Sequence, residues 1–378
     1  MLSLADLVGD EFPARRAVFR PGAVPDPGEI ASVADIDRVL TGSGLRAPGI
    51  RVVKDGSVIP SAHYTSPSTY GYAGLDDVVD PGKVVRLYRK GATLVLGTVN
   101  LLLPRLHELC KTVERDVGHP VDANVYVAPP GARAFDVHCD AQDIIVIQAH
   151  GAKEWTLFDD IVPNPGGGKL VAPEGDGSTY ELRAGDVLHL PRGMPHLVRT
   201  AASASVHITI SVNTLTWADL LKGFVTDLLR SDEYAAALPM GAGLAERVQP
   251  MVRQYADRLA AALTEAATAP AVHEMIYSRP AFGEAHQGGL FSQALLGAPI
   301  GPSDRISLRP GTWPLVGEAR IKAGDRTFRV PGAVAAACEL LMSGPAKVGE
   351  LAGDPGEAVK IARALVELGL CAPPAPCP

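Results

Sequence analysis

The chain has 378 residues, 47% of them apolar and 20% charged, with a net charge of −7. That length is more than one ordinary domain needs, so two or three units with sizeable cores are expected. No run of about 18 apolar residues offers a membrane span, the acidic start "MLSLADLVGDEFPARR" does not read as a secretory leader, and the negative balance gives no general attraction to nucleic acid or anionic membranes. A cytoplasmic protein is expected. Five scattered cysteines, Cys110, Cys139, Cys338, Cys371 and Cys377, point to reduced thiols rather than a disulfide framework.

Residues 1 to about 115 are mixed. "SVADIDRVL" opens with a serine placed to cap a helix, and "TVNLLLPRLHELCKTVERDVG" carries apolar residues at helical spacing. From about 121 to 217 the pattern turns to short strands: "DANVYVAP", "DIIVIQAH", "KEWTLF", "TYELRAGDVLHLP", "HLVRT" and "SVHITISVN". Short strands broken by Gly and Pro predict a barrel or sandwich. After Trp217 the period becomes helical, through Leu220, Leu221, Phe224, Val225, Leu228 and Leu229. A second helix is expected through Leu244, Val248, Met251, Val252, Tyr255, Leu259 and Leu263. Two such helices pack within their own domain or form a self-association surface.

The last hundred residues read as strands "RISLRP" and "RTFRVPG", then helices "AVAAACELLMSG", "AKVGELAG" and "EAVKIARALVELG", then a proline-rich tail. That order predicts a winged helix. Residues 281–378 hold nine basic and nine acidic side chains, without the basic footprint of a DNA reader.

His138 and Asp140 are two apart, so on a strand both side chains leave one face and can meet one metal ion. Spacing alone is weak support, since about one His-x-acid pair is expected by chance in a chain of this composition. "GDVLHLPRGMPH" adds a second signal, because it resembles the second metal motif of cupin barrels. Gly185 and Asp186 turn the chain into a strand, "PRGMP" turns it back, and His196 opens the returning strand, placed by this reading across the barrel from His138. Two histidines and a carboxylate form the facial triad of non-haem Fe(II) oxygenases. Lys153, on spacing alone, is a solvated hairpin residue or a buried cation. Asn124 and Tyr126 share one strand face, as do His207, Thr209 and Ser211. His189 reads as structural, His150 as exposed, and Cys139 as a packing residue on the opposite face from its neighbours.

The stretch "NVYVAPPGARAFDVHCDAQDIIVIQAHGAKEWTLF", with "LRAGDVLHLPRGMPHLVRT" and "SVHITIS", resembles the JmjC-type ribosomal oxygenases, cupin-fold Fe(II)- and 2-oxoglutarate-dependent protein hydroxylases. The likeness runs over nearly the whole chain, including "SVADIDRVLTGSGLRAPGIRVVKDGSVIPSAHYT". It implies an α+β chain: a JmjC (cupin) double-stranded β-helix domain over 1–216, a helical dimerisation domain over 217–280, and a winged helix with its tail over 281–378. It further implies that His138, Asp140 and His196 bind Fe(II), that Lys153 pairs with the distal carboxylate of 2-oxoglutarate, and that Asn124 lies beside the co-substrate. His207 and Ser211 match the histidine and serine that line the family's pocket, with Tyr126 and Thr209 on the same faces.

The expected substrate is a polypeptide, either a ribosomal protein or a biosynthetic peptide, acted on by a homodimer without DNA or membrane partners. N-methyl-lysine demethylation, a metal cupin needing no oxoacid, and a non-enzymatic cupin regulator are the competing readings. "FDVHCDAQ" departs from the family pattern in its cysteine and alanine beside Asp140, which bears on the substrate rather than the metal.

Overall fold

The computed structural model describes residues 2–12, 15–70, 73–163, 165, 175–277, 299–309, 312–317, 319–323 and 326–372. The proline-rich tail after Ala372 and the start of the expected winged helix lie outside them. The chain divides into two compact units, Met1–Thr214 and Leu215–Pro378.

The first unit holds thirteen described strands: β1 (Val18–Arg20), β2 (Ile50–Lys54), β3 (Ser57–Ile59), β4 (Thr65–Tyr70), β5 (Ala73–Val79), β6 (Thr93–Leu96), β7 (Val121–Ala128), β8 (Asp143–His150), β9 (Ala152–Leu157), β10 (Ser178–Arg183), β11 (Val187–Leu190), β12 (His196–Thr200) and β13 (Ser205–Val212). Eight of them make one sheet in the order β1-β11-β8-β13-β7-β6-β2-β3, and β10-β9-β12 make a smaller one. Every described pairing is antiparallel. This is the double-stranded β-helix expected of a cupin barrel, and each strand read between 121 and 217 is present. The N-terminal segment does more than introduce it, because β2, β3 and β6 extend the large sheet.

β8 and β13 are buried on both faces; β8 accordingly carries a near-continuous apolar run, whereas β13 alternates apolar and polar residues. Ile145, Ile147, Ile208 and Ile210 pack with Leu106, Leu109 and Val113 of the helix Pro104–Val117. Ile144 and Val146 turn the other way, toward Trp155, Leu157, Leu182 and Leu188. On β13 that second face is Ser205, His207, Thr209 and Ser211, all under 8% exposed. A row of polar side chains facing a barrel interior signals a site rather than a core. The helix Val33–Gly42 starts as read, with Ser32 and Asp35 forming a reciprocal capping box.

The second unit contains the helices Trp217–Leu228, Leu244–Ala266 and Ala269–Tyr277. They are followed by β14 (Arg305–Ile306), β15 (Leu315–Gly317), β16 (Arg320–Ala323), β17 (Arg326–Arg329), the helix Gly332–Met342, β18 (Ala346–Lys347) and the helix Pro355–Glu367. β15, β16 and β17 form one antiparallel sheet and β14 pairs with β18. Ile306, Ile321, Cys338, Leu341, Val348 and Leu365 close the core. One expectation fails here, since "AKVGELAG" is no helix. Ala346 and Lys347 pair with β14, and Val348–Glu350 make a single 3-10 turn in which Glu350 accepts from the Lys347 amide. The ladder partner outcompetes the local helical period. Among the described residues, no helix is long and apolar enough to cross a membrane.

Candidate metal centre

His138 and Asp140 do not sit on a regular strand. His138 makes an isolated antiparallel bridge with His196: its N–H donates to the His196 carbonyl (3.1 Å), and its carbonyl accepts from the His196 N–H (2.8 Å). The two histidines are therefore direct cross-strand neighbours at one barrel mouth, with ring centres 4.3 Å apart, and not on opposite walls as the spacing was read. The turn before His196 also fixes Asp140: Gly193 donates its N–H to the Asp140 carbonyl (2.9 Å) and accepts from Val162 (2.9 Å). Gly193 has φ +82°, and a Cβ there would lie 2.2 Å from the Val162 oxygen, so no other residue fits without moving the backbone.

One ligand atom from each of His138, Asp140 and His196 lies within 4.8 Å of the others. No other such group of three occurs among the described residues. Nδ1 of His138 is 2.8 Å from the Asp136 carbonyl and Nδ1 of His196 is 3.0 Å from that of Met194. A carbonyl only accepts, so each Nδ1 carries the proton and each Nε2 keeps its lone pair, as a metal ligand requires. His196 Nε2 is 3.7 Å from an Asp140 oxygen. Burial, reinforced by the His138 ring, pushes the His196 imidazole down to about 4, so it remains the neutral donor. The donor set fits a divalent transition metal.

The same cavity is lined by Lys153, Tyr126, His207 and Thr209, with Thr93, Phe135, Ile144, Trp155 and Val198. Lys153 points inward because β9 alternates, placing Lys153, Trp155 and Leu157 on the buried face. It is 4% exposed and makes no hydrogen bond or ion pair with a described residue, and its Nζ lies 5.8 Å from the Tyr126 ring centre. Burial alone pushes its ammonium down to about 7. The reading of Lys153 as a solvated hairpin residue is thereby excluded. Tyr126 and His207 stack in parallel at 4.6 Å, and Trp155 meets His207 edge-on at 5.5 Å and lies over His196 at 5.6 Å. Burial, then the neighbouring Lys153, holds His207 well below its usual range and so neutral.

Asn124 and Ser211 are not among the lining residues. Asn124 accepts the Thr98 N–H at 3.0 Å, holding the turn after β6, while Ser211 is buried farther along β13. His189 is fully buried beside Asp143 (3.5 Å) and His150 is exposed, both as read. Thr93, Phe135 and Trp155 were missed. Trp155 was legible as the alternate neighbour of Lys153, whereas Thr93 lies on a strand whose pattern had no clear period.

A double-stranded β-helix with two histidines and an aspartate at its mouth defines a metal cupin, and residues 101–220 match the family model of the JmjC domain. That segment is similar to the JmjC domain, and the chain is similar to curated proteins named as ribosomal oxygenases. It is 31% identical over 151 residues to the bifunctional lysine-specific demethylase and histidyl-hydroxylase NO66 of Dictyostelium discoideum, covering 37% of this chain and 29% of the relative. It is 30% identical over 189 residues to ribosomal oxygenase 2 of Bos taurus, covering 45% and 41%. The chain thus spans less than half the length of these curated relatives. In fold it is similar to the Escherichia coli ribosomal oxygenase YcfD, with TM-score 0.55 and 17% identity over 98% of each chain. A YcfD structure in complex with cobalt and 2-oxoglutarate matches with TM-score 0.50 and 17% identity over 94% of each chain.

Proposed function

We propose that this chain is an Fe(II)- and 2-oxoglutarate-dependent oxygenase that hydroxylates a polypeptide side chain, such as a residue of a ribosomal protein. The observation that carries the reading is the pairing, in one cavity, of the His138–Asp140–His196 donor set with the buried, uncompensated cation of Lys153. A lone buried ammonium is costly, and a ligand carboxylate removes that cost. The names of the relatives and the cobalt and 2-oxoglutarate in the YcfD complex support the same assignment.

His138, Asp140 and His196 would hold Fe(II), which when bound activates O₂ using the electrons of oxidative decarboxylation, so that 2-oxoglutarate, O₂ and a C–H group yield succinate, CO₂ and an alcohol. The chain's own contribution is binding, orientation and exclusion of water. The Asp136 and Met194 carbonyls hold the two imidazoles in the required tautomer. Lys153 anchors the distal carboxylate, and the stacked Tyr126 and His207 wall in its ammonium. His207 stays neutral there, avoiding a second buried cation. Thr209 adds a hydroxyl to the same wall, with Asn124 and Ser211 in supporting positions outside the lining. Phe135, Ile144 and Val198 supply apolar surface against water.

In the same reading residues 217–280 are a dimerisation domain, supported by exposed Trp217, Leu221, Leu229 and Val252 on its helices. Residues 281–378 are a winged helix that does not bind DNA, supported by the balanced charge of that segment. The protein works in the cytoplasm. The test is incubation with Fe(II), 2-oxoglutarate and polypeptides extracted from the source cells. A gain of one oxygen atom on a polypeptide, dependent on His196, is the expected result. Metal-dependent turnover unaffected by omitting 2-oxoglutarate would remove the oxygenase reading.

A further inference from the structure

The β2–β3 turn lies well before the segment matched to the JmjC domain, yet it reaches the metal centre through the main chain. Asp55 and Gly56 both adopt left-handed conformations, φ +48° and +79°, as a two-residue Asp-Gly hairpin requires. The tip is docked, because the Asp55 N–H donates to the Arg133 carbonyl (3.2 Å) and the Gly56 N–H to that of Ala134 (2.9 Å). On its other side the same segment is tied to the end of β12. Gly131 donates to the Ala201 carbonyl (3.0 Å) and Thr200 donates to that of Ala132 (3.0 Å).

Residues 131–136 are thus a strap suspended between the hairpin tip and the small sheet. Its inward residues Ala132, Ala134 and Phe135 line the cavity, while Arg133 and Asp136 pair on its outer side at 3.2 Å. The strap ends at Asp136, whose carbonyl takes the Nδ1 proton of His138 (2.8 Å), and the Phe135 ring sits 5.5 Å from the His138 ring. A Cβ on Gly56 would approach the Asp136 carboxylate to 3.0 Å.

We propose that Asp55–Gly56 is a positioning element for the metal ligand His138, setting the height of the strap and through the Asp136 carbonyl the orientation of the imidazole. The inference rests on the metal-centre reading above. It adds a part of the active site supplied from outside the JmjC segment, and it makes the hairpin a determinant of metal affinity. Groups that orient a metal-bound histidine typically change affinity by about 10–100-fold when lost.

The test is calorimetric titration of the metal-free full chain with Co(II), with the visible absorption of the bound ion recorded in parallel. Gly56→Val, which cannot adopt φ +79° without strain, should raise the Co(II) Kd about tenfold or more and alter the absorption bands. Gly56→Asn, which tolerates the left-handed region, should recover most of the affinity. Gly118→Val is the control for a purely structural loss, since Gly118 also has positive φ (+68°) but ends the helix Pro104–Val117. It should lower Tm and leave the Kd and spectrum unchanged.

Wild-type affinity in Gly56→Val, or an equal loss in Gly118→Val, overturns the proposal. If Gly56→Val does not fold, Gly56→Ala carries the same comparison, with a smaller rise in Kd expected and an unchanged Kd counting against. A wild-type chain that binds no Co(II) overturns the metal-centre reading itself, which is a distinct result.

Discussion

Lys153 is held in the barrel with no described carboxylate to balance it, and that determines its response to substitution and to pH. Lys153→Ala should leave metal affinity nearly unchanged and weaken 2-oxoglutarate by about 2–5 kcal/mol, the range for breaking a desolvated charge pair. Calorimetry on the metal-loaded variant checks this, and wild-type oxoacid affinity would detach Lys153 from the co-substrate. The pH behaviour follows from the depression of its ammonium to about 7. Only the protonated form attracts the dianion, so affinity should fall about tenfold per pH unit above about 7. Lys153→Arg, always charged, should flatten that profile even though its planar fork binds less well. For ligand-free stability the sign is opposite. The folded value lies below the unfolded one of 10.5, so unfolding takes up a proton between about 7 and 10.5 and this group's contribution rises with pH across that window.

The turns that join strands carry as much of the site as the strands themselves. Gly193 ties the β11–β12 turn to Asp140, and its substitution is blocked both by φ and by the Val162 carbonyl. Gly193→Ala should cost about 1–3 kcal/mol in denaturant unfolding and should weaken Co(II) binding. Gly22 also has positive φ (+62°) but nothing within 4 Å of a new Cβ. Gly22→Ala should therefore show the backbone cost alone, about 1–2 kcal/mol, with metal affinity intact. Equal effects of the two on metal binding would disconnect Gly193 from the centre. Strands β7 to β13 were legible because each carries alternation or a β-branched run between Gly and Pro turns. β6, "TLVL", was not, being a threonine and three apolar residues in a mixed region, buried throughout and without a period. "AKVGELAG" was misread because its apolar spacing suits a helix until β14 offers a partner for Ala346 and Lys347.

At the scale of the molecule, the helical segment leaves Trp217 78%, Met240 91% and Val252 57% exposed. Apolar side chains of that size on neighbouring elements favour self-association. Sedimentation at micromolar concentration should give twice the chain mass, and Val252→Glu should shift the population toward monomer. A monomeric wild-type chain would remove the dimer reading. The charge balance of residues 281–378 predicts no salt-dependent affinity for duplex DNA, and a steep salt slope in a binding titration would contradict that.

What the sequence determined by itself is the local chemistry and its order: the barrel strands, the helical change after Trp217, and the His138, Asp140 and His196 set. The strands and helices follow from period and turn residues within a short window, and the metal set from the resemblance of two separate motifs to those of cupin barrels. Lys153 stood at the limit of that reading, because alternation placed it on a face without saying whether that face was wet. Tertiary structure alone decided that the face is buried, that His138 and His196 are neighbours on one bridge, and that Asn124 supports the Thr98 turn instead of lining the cavity. It also brought Thr93 and the Asp55–Gly56 tip to the centre from segments with no catalytic signature. Such contacts are set by sheet order and by backbone hydrogen bonds between residues far apart in the chain, and main-chain donors and acceptors are the same whatever the side chain, so they leave no mark in the residue pattern.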